Sequence, residues 1–228
     1  MDVPGLPVCG ALRNPPVAVG TAGILNGGHK SMKSRGTWTP EQIDGLFEGL
    51  GSKTARVKYG AAKALKMVSE QAPDLLYPRW DTLVRLLEND NAFLRWGSTQ
   101  ILGNLAAVDH EDRFEPMLGR FLAPISGKEM IGAANAIAAA ASIALAKPHL
   151  ADRIVKEILK VERATYTTPE CRNVAIGHAI RSFDRFLGHV KNRRPVLAFV
   201  TRQLDNPRPA TSKKAGTFLK RWATSARW

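Results

Sequence analysis

Apolar residues recur at intervals of three and four along most of the chain, the spacing that places them on one face of an α-helix. Between Arg56 and Glu70, for instance, Val57, Ala61, Ala64, Leu65 and Val68 share a face and are expected to be buried, while Arg56, Tyr59, Lys63, Lys66 and Glu70 form a neighbouring stripe. No segment alternates apolar and polar residues with the period of two that a half-buried strand requires, so the expected class is all-α. A first helix opens at Thr39-Pro40, where Thr39 with Gln42 three residues on forms a capping box, Pro40 occupies the first helical position, and Trp38 and Ile43 are spaced as a hydrophobic staple. It is expected to end near Leu50 and Gly51. A second helix covers about 54–71. A third opens at Pro73 and carries Leu75, Leu76, Trp80, Leu83, Val84 and Leu87 inward; Asn89-Asp90-Asn91 is a turn, and a fourth helix lies within 91–108. Asp109 caps a helix bearing Phe114, Met117, Leu118 and Phe121, and Ser126 or Gly127 starts an Ala-rich helix ending near Pro148. The remaining helices are expected over about 149–163, from the Thr168-Pro169 cap to about 189, over 195–204, and over 211–223.

The same phrase returns along this helical pattern. Val57-Lys58-Tyr59-Gly60-Ala61-Ala62-Lys63-Ala64-Leu65 aligns without a gap on Leu94-Arg95-Trp96-Gly97-Ser98-Thr99-Gln100-Ile101-Leu102, with Gly60 and Gly97 37 residues apart. A third copy, Met130-Ile131-Gly132-Ala133-Ala134-Asn135-Ala136-Ile137, follows with Gly132 35 residues after Gly97. Asn173 to Ile180 is a looser fourth, with Ala175 in the glycine position, and a fifth falls around 212–219. Self-similarity at such a period marks a stacked-repeat architecture, and the amphipathic segment before each phrase makes each repeat two antiparallel helices.

The segments Val57-Lys58-x-x-Ala61-x-x-Ala64-Leu65 and Leu94-Arg95-x-x-Ser98-x-x-Ile101-Leu102-Gly103-x-Leu105 resemble the second helix of a HEAT repeat, and the resemblance covers roughly 39–222. It implies a right-handed α-solenoid of about five antiparallel helix pairs spanning 37–228, which acts as a non-catalytic binding or scaffold module and engages a partner protein through its concave face. In such a stack the second helices lie side by side, so equivalent positions form columns. One column reads Lys63, Gln100, Asn135, His178; another begins with Tyr59 and Trp96 and continues with Ile131 and Val174. The expected partner-binding residues are Tyr59, Lys63, Trp96, Gln100, Asn135 and His178. The competing reading of these columns is a solvated face beside the rim of the core.

Charge changes the picture at the two ends. The chain carries a formal net charge of +13, but 37–180 holds equal numbers of acids and bases. The last 48 residues hold twelve Lys and Arg against Asp184 and Asp205 only. This motivates an alternative function, a nucleic-acid-binding array using its basic C-terminal end, with Arg181, Arg185, Arg193, Arg194, Lys213, Lys214, Lys220 and Arg221 as polyanion-binding residues. A solvated terminal cap is the competing account of the same charges. Residues 1–36, rich in Gly and Pro, read as a disordered or loosely packed leader.

Other chemistry is sparse. The five histidines have no metal-ligand spacing, and no phosphate loop, dinucleotide fingerprint or Gly-x-Ser-x-Gly is present. The acids at Asp109, Glu111 and Asp112 suit the start of a helix better than a metal. Cys171 and His178, seven residues apart on one helix, are too distant for a thiol and its base. Tyr77-Pro78-Arg79-Trp80-Asp81-Thr82-Leu83-Val84 is faintly similar to the Trp-Asp segment of the alkylpurine DNA glycosylases, which also use HEAT-like arrays. Val84 stands where that family has its catalytic carboxylate, so this enzyme reading ranks below the other two and Trp80 is read as a packing residue. No enzyme activity, cofactor or metal is therefore expected. Two cysteines point to a reducing, cytoplasmic compartment, and no run of apolar residues is long enough to span a membrane.

Overall fold

A computed structural model describes residues 38–223. The expected leader lies outside the described residues. All regular structure among the described residues is helical, in ten α-helices that alternate short and long. They are α1 (Pro40–Leu50), α2 (Ala55–Gln71), α3 (Trp80–Leu86), α4 (Ala92–Leu105), α5 (Phe114–Leu122), α6 (Met130–Ala146), α7 (Ala151–Leu159), α8 (Pro169–Phe186), α9 (Arg194–Arg202) and α10 (Pro209–Ala223). Each short helix packs on the long helix that follows it, and each long helix from α2 to α8 packs on the next long helix.

Several helix starts are written locally. The Thr39 hydroxyl accepts from Gln42 N at 3.3 Å while Thr39 N donates to Gln42 Oε1 at 3.0 Å, which completes the capping box. Asn91 Oδ1 accepts from Phe93 N and Leu94 N, and Thr168 Oγ1 accepts from Cys171 N at 3.1 Å. Other boundaries differ from the sequence reading. The segment opening at Pro73 forms two 3₁₀ turns, Pro73–Leu75 and Tyr77–Arg79, before α3 begins at Trp80. Pro78 has no N–H for a continuous α-helical ladder and disfavours α geometry in Tyr77. The Ala-rich helix starts at Met130 rather than near Ser126, because Ala123–Ser126 is a separate 3₁₀ turn closed by Gly127 N on Pro124 O at 3.0 Å. The helices expected over 149–163 and through 189 likewise end in 3₁₀ turns.

The core runs the length of the described chain. Large side chains come from the short helices and helix ends, with Phe114, Phe183, Phe186 and Phe199 fully buried. Small side chains come from the centre of α6, where Ala133, Ala136, Ala140, Ala141 and Ala144 are all buried. Ala allows helix axes to approach closely, and α6 packs against both α4 and α8. The expected buried face of α2 is corrected at one end: Ala61, Leu65 and Val68 are buried, but Val57 is 50% exposed and Ala64 half-buried. Val57 lies beside the end of α1 at Gly49, which offers no side chain to cover it: a Cβ there would stand 3.8 Å from Val57 Cγ1.

Ion pairs cross from one helix pair to the next at roughly the repeat period. Arg79 with Asp44, Arg113 with Asp81, Arg120 with Glu88, Arg153 with Glu115, Arg202 with Glu162 and Arg221 with Asp184 are all separated by 32–40 residues in sequence. Most are exposed and contribute little each. One is buried: Lys147 Nζ lies 3.2 Å from Asp109 Oδ2, with the two side chains 8% and 0% exposed.

Candidate functional site

The long helices lie side by side, which brings together part of the residue set expected from the repeat alignment. Gln100 Nε2 on α4 donates to Asn135 Oδ1 on α6, and Asn135 Nδ2 donates to Ile131 O at 3.0 Å. These two members of the polar column therefore satisfy each other and present a joined, half-buried surface. Lys63 is exposed on α2. Tyr59 meets the start of α4: its ring is 4.8 Å from that of Phe93, edge to face, and its hydroxyl accepts from Asn91 Nδ2 at 3.1 Å. With 39% of Tyr59 and 46% of Phe93 exposed, the two rings form an aromatic step at the edge of this face.

Trp96 occupies a different setting. It is half-buried and lines a cleft of about 390 Å³ between the end of α3, the first half of α4, the end of α5 and the start of α6. Leu87, Phe121, Ala123 and Pro124 supply apolar wall; Arg95, Arg120 and Lys128 supply positive charge, with Glu88 and Glu129 as the acids. Arg95 pairs with Glu129 at 3.4 Å and Arg120 with Glu88. The indole Nε1 is buried and donates to no acceptor among the described residues. An unpaired buried donor is costly, which sets this indole apart from the other buried polar side chains of the described residues. The third phrase's glycine helps make this space: a Cβ at Gly132 would stand 3.8 Å from Trp96 Nε1.

A second, shallower trough of about 470 Å³ crosses the opposite ends of the long helices. It takes Ser69 and Glu70 from α2, Gly103 and Asn104 from α4, Ser142 and Leu145 from α6, and Arg185 from α8. Asn104 Nδ2 donates to Ser69 Oγ at 2.9 Å, and Arg185 to Ser142 Oγ at 3.4 Å. Four successive long helices thus contribute to one surface. This trough was not anticipated, because it depends on the far ends of phrases that were aligned at their centres.

His178 is half-buried on α8. Burial pushes its imidazole below the ordinary histidine value, and the positive charges of Lys214 and Arg181 push it the same way. The eight cations read as polyanion-binding fall into distinct environments. Arg193 lies 5.7 Å from the Trp222 ring centroid, Arg194 is exposed at the start of α9, and Arg221 pairs with Asp184 at 2.6 Å. Arg181, Lys213 and Lys214 line one cavity between α8 and α10, with Arg185 and Lys220 exposed on the same two helices.

No group of three or more His, Cys, Asp or Glu side chains that could hold a metal ion occurs among the described residues. Cys171 is buried, and its Sγ accepts from the Thr168 hydroxyl at 3.2 Å. Trp80 is 3% exposed and packs edge to face on Tyr77 and Phe114. It is therefore not available to stack on a nucleobase. No helix among the described residues is long and apolar enough to cross a membrane.

No family model matches the chain, and no curated protein matches it. Among solved structures the chain is similar to an engineered protein from a structural genomics consortium, at 16% identity, covering 81% of this chain and 80% of that one, with a TM-score of 0.47. A likeness that distant carries no conclusion about this molecule.

Proposed function

We propose that the chain is a right-handed, HEAT-like α-solenoid of five antiparallel helix pairs, and that it is a non-catalytic scaffold which holds a partner protein on the face built by its long helices. The alternation of short and long helices, with each short helix packed on the long helix after it and each long helix on the next, supports the architecture. The observation that carries the function is the Trp96 cleft. A half-buried indole with an unpaired N–H, beside an apolar wall and flanked by arginines, is the kind of pocket in which a protein interface concentrates its binding energy. The Tyr59–Phe93 step and the joined Gln100–Asn135 pair extend that surface across α2, α4 and α6.

The test is capture from native lysate by the purified chain, with nuclease added, comparing wild type with Trp96→Phe and Trp96→Ala. Trp96→Phe keeps the ring and removes the donor. The same nuclease-resistant protein should be retained by wild type, weakened by Trp96→Phe, lost with Trp96→Ala, and unaffected by Lys156→Ala on α7. Capture that disappears with nuclease alone, or that ignores both Trp96 variants, would refute the reading.

A further inference from the structure

We propose that the cavity between α8 and α10 binds the phosphate backbone of a nucleic-acid strand. The cavity has a volume of about 370 Å³ and is lined by Arg181, Lys213 and Lys214 together with Ile180, Asp184, Ala210 and Phe218. None of the three cations makes an ion pair among the described residues. This departs from the pattern around them: Arg202, Arg208 and Arg221 each pair with an acid of the preceding repeat, namely Glu162, Glu170 and Asp184. Asp184 is the carboxylate lining the cavity, and it is already held by Arg221 at 2.6 Å and by Trp222 Nε1 at 2.9 Å.

Lys214 shows that the charges converge rather than merely share a surface. It is half-buried, and its ammonium lies against Gly177: a Cβ there would come within 3.1 Å of Lys214 Nζ and 2.9 Å of Thr211 Oγ1. Burial pushes the Lys214 ammonium below the ordinary lysine value, and Arg181 and Arg208 push it the same way; His178 beside it is also depressed. Like charges gathered beside a carboxylate that Arg221 and Trp222 already hold repel one another, and an anion relieves that repulsion. The choice of a strand over a single phosphoryl group follows from what flanks the cavity. Arg185, which also reaches Ser142 on α6, follows Arg181 by one turn of α8, about 6 Å along the axis, and Lys220 follows Lys213 by two turns of α10, about 10 Å. A nucleic-acid strand repeats its charge every few ångströms, so it can meet cations spaced along both helices where a single phosphoryl group cannot. The last 48 residues, with twelve bases against two acids, match such a polyanion in sign. This inference does not rest on the protein-partner reading, since it uses other helices and a purified ligand.

The experiment is fluorescence anisotropy of the full chain with a short labelled single strand, at salt from roughly 50 to 200 mM. The triple variant Arg181→Gln, Lys213→Gln, Lys214→Gln should bind about tenfold or more weakly, and its slope of log K against log salt should be shallower by about 2. The control triple Arg153→Gln, Lys156→Gln, Lys160→Gln removes the same charge from the α7 region and should bind as wild type. Circular dichroism establishes that both variants are folded, and Gly177→Ala, which crowds Lys214 at constant net charge, should also weaken binding. Absence of binding at the lowest salt, or equal loss in the two triples, would overturn the site. Displacement of the strand by an acidic phosphopeptide at equal concentration would overturn the assignment to nucleic acid.

Discussion

Among single residues, Lys147 has the most demanding surroundings. Its ammonium reaches the buried Asp109 carboxylate, donates to Asp109 O at 2.7 Å and meets Asp112, which adopts a positive φ of 53°. Asp109 also accepts from Tyr77 Oη and from the backbone N–H groups of Arg113 and Phe114 that open α5. Burial raises the Asp109 carboxyl, but these donors outweigh it and hold the group below its ordinary value; burial and the Asp109 bond push the Tyr77 phenol up to about 12. Removing one partner strands the other charge, so Lys147→Met should cost about 3–5 kcal/mol in urea unfolding, while the double variant with Asp109→Asn should cost less than the sum of the singles. His178 supplies a pH prediction. Its folded value lies below the unfolded one, so the stability it contributes is present above about pH 6.5 and is lost as pH falls through the folded value. Unfolding free energies measured from pH 7.5 down to 5 should therefore fall less steeply in His178→Gln than in wild type.

At the scale of helices, the glycines separate the pattern that repeats from the contact that packs. Gly60 and Gly97 define the repeated phrase, yet a Cβ at either would meet nothing within 4 Å. Gly103 stands outside the strictest part of the phrase, and a Cβ there would fall 2.7 Å from Ala139 Cβ and 2.9 Å from its Cα. That is a backbone-level approach of α4 to α6. Gly97→Ala should therefore stabilise the fold by about 0.5–1 kcal/mol through helix propensity. Gly103→Ala should destabilise it by about 1–3 kcal/mol through overpacking. Both are read from thermal or urea unfolding. Leu102, fully buried, should cost about 2–5 kcal/mol when cut to Ala. Gln100→Ala should cost about 0.5–1.5 kcal/mol, since it breaks the bond to Asn135 rather than merely clearing an exposed stripe.

Across the whole molecule, each long helix is supported by its neighbours, so support is unequal along the chain. α6 is flanked by α4 and α8, which are themselves flanked by α2 and α10, while α1 and α10 lie at the two limits of the described region. In an assembly held by nearest-neighbour contacts, local opening is easiest at the termini. Amide hydrogen exchange should therefore be slowest in α6 and the facing turns of α8, and fastest in α1 and α10. Uniform protection across all ten helices would show that the chain opens only as one cooperative block.

The helical class, the caps at Thr39 and Thr168 and the repeat period were legible in the sequence, because each depends on neighbours within a few residues or on a pattern that recurs. The position of Trp96 in the second phrase was legible too, but its unpaired N–H was not, since that depends on which atoms α5 and α6 bring near it. Proline placement could have warned that the segment after Pro73 breaks into 3₁₀ turns. The exposure of Val57 could not be read, because periodicity assigns a face without saying whether anything covers it. Likewise the twelve C-terminal bases were countable in the sequence. Only tertiary structure separated those paired with acids on preceding helices from Arg181, Lys213 and Lys214, which line one cavity. Net charge is a sum over residues, whereas an ion pair depends on the distance between side chains some forty positions apart.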